Sequence, residues 1–101
     1  MIKRKKELIK NKKELRSEIT KNLKKLTELK FELTYTEDVA GNGQKYFGYS
    51  IYFEEIKERY YIMFGMAYAK KDYFKEGFVL NPKHVKDQCE GLVEYINYIN
   101  E

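Results

Sequence analysis

The chain has no tryptophan, one proline (Pro82), one cysteine (Cys89) and one histidine (His84) among 101 residues. A lone cysteine cannot form an intrachain disulfide, and it points to a reducing compartment. His84 and Cys89 lie five positions apart. On a helix that spacing turns them about 140° from one another, too far for a catalytic dyad. His84 reads as a surface residue and Cys89 as a buried structural one. The two serines, Ser17 and Ser50, carry no nucleophile signature. Clusters of His, Cys or carboxylate at metal-ligand spacing are missing. Gly41-Asn42-Gly43 is too short to cradle a phosphate and precedes a strand-like run rather than a helix. No cofactor and no metal are expected. No apolar run approaches the roughly 18 residues that a bilayer-spanning helix needs. The positive N-terminal stretch has no apolar region behind it and does not read as a signal peptide. These absences predict a cytoplasmic, non-enzymatic protein with no membrane partner.

What is present is unevenly placed. All 16 aromatic residues lie from residue 31 onward. Residues 1–30 hold twelve Lys and Arg against four Glu, whereas residues 31–101 hold eight against twelve Asp and Glu. The split predicts a basic arm or dimerisation helix (1–30) attached to a mildly acidic body (31–101), within a single domain. The usage is rich in Lys, Tyr, Asn, Ile and Glu, as in many AT-rich phage and plasmid genomes.

The body is organised around Tyr46 to Tyr68, two aromatic runs joined by a charged break. It reads as a β-hairpin. A turn centred on Lys57 and Glu58 pairs Phe53 with Ile62, Ile51 with Phe64, Tyr49 with Met66 and Phe47 with Tyr68, all on one apolar face. Lys57-Glu58 is not a usual two-residue turn pair, so a four-residue turn is the alternative. The opposite face carries Gly48, Gly65, Ala67 and Ala69 at one end. Either the strands bend or pack closely there, or the patch is a shallow partner groove flanked by Tyr46, Tyr52, Tyr61 and Met63.

Before the hairpin, residues 3–29 read as one long helix. Leu8, Leu15, Ile19, Leu26, Leu29 and Leu33 recur at near-heptad spacing, and Leu23 widens the stripe. Such a helix would be about 40 Å long, so its N-terminal half is expected to project, fray or pair. Leu8, Leu15, Ile19 and Leu26 form the candidate seam of a homodimer. Phe31 to Val39 alternates as a strand, with Phe31, Leu33, Tyr35 and Val39 facing inward. Gly41-Asn42-Gly43 supplies the next turn. Lys70 to Gly77 reads as a loop, and Phe78-Val79-Leu80 as a short strand or core plug. Asn81-Pro82 starts a helix that runs to about Asn100. Gly91 within it suggests close packing. The fold class is therefore α+β: a long basic helix, a three-stranded antiparallel meander, and a C-terminal helix packed on the sheet.

The candidate binding residues are cations. Lys3, Arg4, Lys6, Lys10, Lys13, Arg16, Lys21 and Lys24 have few Glu partners. They are either a solvated helix face or a surface for phosphates or an acidic protein. Glu54, Glu55 and Glu58 make an acidic hairpin tip, which keeps the sheet from pairing with strangers or docks a partner. Asp38 with Glu55-Ile56-Lys57 gives a weak D…E-x-K pattern, and with it a remote reading as a metal-dependent nuclease.

The first functional expectation is a small binding protein that docks on a protein or nucleoprotein machine and modulates it. Phage and mobile-element inhibitors such as anti-CRISPR proteins do this, and the likeness is one of size and style only. If phage-encoded, it would act in the host cytoplasm. The alternative is a DNA- or RNA-binding regulator working through the lysine stripe. Sparse Arg and the lack of a helix-turn-helix weigh against sequence-specific reading.

Overall fold

A computed structural model describes residues 8–66 and 79–100. The elements run α1 (Lys12–Leu26), β1 (Phe31–Val39), β2 (Lys45–Phe53), β3 (Glu58–Met66) and α2 (Pro82–Ile99). The architecture is α+β. The three strands form an antiparallel meander in the order β1-β2-β3, and both helices pack on one face of it.

Helix α1 starts at Lys12, not near residue 3. Asn11 is the reason. Its side chain accepts from the Glu14 N–H at 2.9 Å, while the Glu14 carboxylate accepts from the Lys10 N–H at 2.6 Å. The pair closes the helix N-terminus from both sides. Before it the chain is extended. Ile9 and Leu80 exchange two backbone hydrogen bonds of 2.9 and 2.8 Å. The stripe that ran through Leu8 in the sequence therefore joined two different structures. At 15 residues α1 spans about 22 Å. The expected projection does not occur over Lys12–Leu26, because Leu15, Ile19 and Leu23 are wholly buried. Residues 1–7 lie outside the described part. The helix ends without glycine. Thr27 turns extended, its N–H still bonds the Leu23 carbonyl, and its hydroxyl accepts from the Leu29 N–H.

The first hairpin turns through Gly43 at φ +83°, and Asn42 accepts from the Gln44 N–H. The second uses the four-residue turn Glu54–Lys57, with Lys57 at φ +53°. Its pairing differs from the two-residue expectation. Phe53 faces Glu58, Ile51 faces Tyr60, Tyr49 faces Ile62 and Phe47 faces Phe64. The slide is four positions, an even number, so every side chain keeps its face. Tyr68, like Ala67 and Ala69, lies outside the described residues, as do Lys70 to Gly77 and Phe78.

The core joins Phe47, Tyr49, Ile51, Phe53, Ile62 and Phe64 of the sheet to Leu15, Ile19 and Leu23 of α1. Val85, Cys89, Val93 and Ile96 of α2 complete it, with Ile9 and Leu80 at one end. Phe31, Leu33 and Tyr35 pack against it, whereas Val39, on the same face by the unbroken register, is 55% exposed and is not buried with them. Helix α2 starts as expected, with the Asn81 side chain accepting from the Lys83 N–H and Pro82 in its first turn. Gly91 is not closely packed: a Cβ there would meet nothing within 4 Å.

Candidate functional site

Burying one side of α1 fixes what the other side shows. Lys10, Lys13, Arg16, Lys21 and Lys24 are all exposed. Among the described residues, Lys21 alone of these five has an ion pair, at 3.9 Å from Glu18. Lys12 is spent otherwise: its ammonium lies 4.3 Å over the Tyr35 ring, a cation–π contact holding α1 to β1. Lys3, Arg4 and Lys6 fall outside the described residues.

Arg16 and Lys24 also line a groove of about 720 Å³ between α1 and β1. Lys30 adds a third cation, Thr20, Thr27 and Thr34 supply hydroxyls, and Glu28 and Glu32 supply negative charge. One wall is a sheet edge. The Ala40 N–H bonds the Gln44 carbonyl, and Ser50 donates to the Thr34 carbonyl. Even-numbered β1 residues thus turn their backbone groups to β2. By the antiparallel alternation, Phe31 and Leu33 turn theirs to the groove.

The dimer seam is corrected at its centre. Leu15 and Ile19 are fully buried by the chain's own sheet and second helix and are closed to a second copy. Leu8 and Leu26, at 38% and 37%, are partly exposed. Tyr46, Tyr52, Tyr61 and Met63, expected to flank a partner groove, share the sheet face turned away from the core. The Tyr46 ring lies against Gly65, and Ala67 and Ala69 of the small-residue patch lie outside the described residues. The Arg59 guanidinium stacks 5.3 Å from the Tyr52 ring and donates to the Ser50 hydroxyl. Met63 is half-buried. Tyr61 instead lines a second groove, with α2. Sequence reasoning missed that site because it depends on which sheet edge α2 lies along.

The nuclease pattern does not assemble. Asp38 faces Tyr46 at one end of the sheet, whereas Glu55 is in the turn after Phe53 at the other end. Seven strand residues separate the ends by roughly 23 Å. Among the described residues no group of three or more His, Cys, Asp or Glu side chains could hold a metal. At the acidic tip Glu58 accepts from the Tyr60 hydroxyl. That bond, helped by burial, pushes the Tyr60 pKa up to about 12. His84 is exposed. Cys89 is buried, and loss of solvent followed by the negative charge of Glu18 and Glu90 pushes its thiol up to about 12. A thiol so held is a poor nucleophile.

No described helix is long and apolar enough to cross a membrane. Compared with known proteins, the chain matches no family model, no curated protein and no solved structure.

Proposed function

We propose that this is a non-enzymatic binding protein that docks on an acidic surface of a protein or nucleoprotein machine and modulates it, after the manner of small phage and mobile-element inhibitors. The docking surface is the cationic side of α1 with the groove beside β1. One observation carries this reading. Lys13, Arg16 and Lys24 are displayed on a helix whose other side is locked into the core, and among the described residues none of the three is in an ion pair, although Glu28 and Glu32 line the groove beside Arg16 and Lys24. Fixed, unpaired cations favour a partner of complementary charge and speed its encounter. The separation of Asp38 from Glu55 and the burial of Cys89 favour binding over catalysis. The single cysteine, with its free thiol, suits a cytoplasmic protein.

The test is a photo-crosslinking residue at Ser17, on the same exposed side of α1, in the native host. A discrete protein adduct that vanishes in the Lys13→Glu/Lys24→Glu variant supports the reading. Adducts with nucleic acid alone, or protein adducts indifferent to the charge reversal, overturn it. The nucleic-acid reading uses the same cations. It predicts tight binding of random duplex or RNA that falls steeply from about 50 to 300 mM salt and is lost on charge reversal.

A further inference from the structure

Lys12, Arg16, Thr20 and Lys24 recur every four residues and so form one row along α1. The row runs beside β1. Lys12 lies over the Tyr35 ring, and Arg16, Thr20 and Lys24 share the α1–β1 groove with Phe31 and Leu33. Arg16 and Lys24 are exposed, and among the described residues neither is in an ion pair. Along the helix axis they stand about 12 Å apart. Glu32 does not answer them. Phe31 and Leu33 pack toward the core, so Glu32 alternates to the other face of β1. Glu28 is exposed in the connection between α1 and β1.

The backbone of Phe31 and Leu33 faces this row, and no described residue bonds its outward N–H and C=O groups. An extended peptide carries a donor and an acceptor on every residue and can bond both kinds of group. A helix has spent its own. A phosphate backbone offers acceptors to the N–H groups but no regular donors to the carbonyls. On a strand added antiparallel to β1, residues opposite Phe31 and Leu33 point their side chains to the α1 side. Residues four apart on such a strand are about 13 Å apart, close to the spacing of Arg16 and Lys24.

We propose that the groove binds an extended acidic segment of a partner protein, which adds antiparallel to β1 at Phe31 and Leu33 and sets two carboxylates, four residues apart, against Arg16 and Lys24. The residue midway between them faces Thr20. This rests on the cationic docking surface proposed above and names what occupies it. Backbone pairing holds the segment, and the spacing of the two cations selects its sequence. A second copy of this chain would set the same cation row against itself. The chain's own residues 1–7, with Lys3, Arg4, Lys5 and Lys6, would add further positive charge. Like charge disfavours both as the occupant.

The probe is a capped nine-residue threonine peptide with glutamate at its third and seventh positions, titrated into the full chain. Binding should shift the Phe31 and Leu33 amide resonances and slow their hydrogen exchange. Methylating the peptide amides at the fifth and seventh positions should abolish binding, because those N–H groups face β1, whereas methylating the fourth and sixth should not. Arg16→Gln/Lys24→Gln should weaken binding about tenfold or more. Moving the second glutamate to the sixth position should also weaken it, since that side chain points away from α1. Both substituted residues are exposed, so the variant should resist urea like the parent, which separates lost binding from lost folding. No binding at about 1 mM peptide overturns the proposal. So does binding indifferent to amide methylation or to glutamate spacing, tighter binding of a nine-nucleotide oligothymidylate at the same amides, or protection of those amides by self-association. If the peptide fails while the Ser17 adduct still forms and still depends on Lys13 and Lys24, the docking surface stands and the added strand alone is refuted.

Discussion

The Tyr49 hydroxyl on the central strand donates a 2.8 Å hydrogen bond to the Lys12 carbonyl in the first turn of α1. The two residues are 37 positions apart. With the Lys12 contact to Tyr35, this bond fastens the start of the helix to the sheet. Burial holds the Tyr49 pKa above its ordinary value, and Arg16 opposes the shift. Tyr49→Phe keeps the ring and removes the bond. It should cost about 1 kcal/mol in urea denaturation. A loss well below that would mean the helix start is held by other contacts.

Three glycines in three different settings should answer alanine substitution differently. A Cβ on Gly48 would stand 1.9 Å from the Ile62 backbone oxygen. Backbone cannot yield as a side chain can, so Gly48→Ala should cost about 3 kcal/mol or more. At Gly65 the obstacle is the Tyr46 ring, 2.6 Å away at its nearest atom. The ring can swing aside, so the cost should be smaller. Gly91→Ala should stabilise by about 1 kcal/mol. Thermal or urea denaturation of the three variants gives the order directly.

Cys89 sets a pH dependence. Its folded pKa of about 12 lies above the ordinary thiol value. Between those values the unfolded chain loses the thiol proton while the folded chain keeps it. Stability should therefore fall as pH rises above about 9, by about 1 kcal/mol per pH unit from this group. Below pH 8 the contribution is fully present. Comparing parent and Cys89→Ala denaturation from about pH 8 to 10.5 isolates it from the tyrosines, and equal slopes would refute the burial argument. The parent thiol should also resist disulfide exchange reagents until the protein unfolds.

The α1 cap is a further test. Asn11→Ala removes the acceptor for the Glu14 N–H and should cost about 1 kcal/mol. If residues 3–29 formed one continuous helix, Asn11 would be interior and alanine there would be neutral or stabilising. Circular dichroism with urea denaturation distinguishes the two.

These particulars show what the sequence makes legible. Alternation in Phe31–Val39 and Asn81-Pro82 mark a strand and a helix start by local rules. The same rule of alternation assigns the faces of β2 and β3 correctly, yet it is blind to any even slide, so the turn residues had to set the register. A leucine stripe does not say what covers it. Leu15 and Ile19 suit a coiled-coil seam as well as a domestic core, and only the folded chain shows the sheet taking them. Gly91 reads as a packing glycine because the sequence cannot show that the space beside it is open.

The account turns on α1 being part of the core, so that its cations stand on a fixed surface. Native-state hydrogen exchange of the full chain measures this most directly. The Ile19 and Leu23 amides should open only with the global unfolding that releases Ile51 and Val93, to within about 1 kcal/mol. If they exchange through a much cheaper local opening while the sheet stays protected, α1 is a loosely attached arm and the fixed surface does not exist.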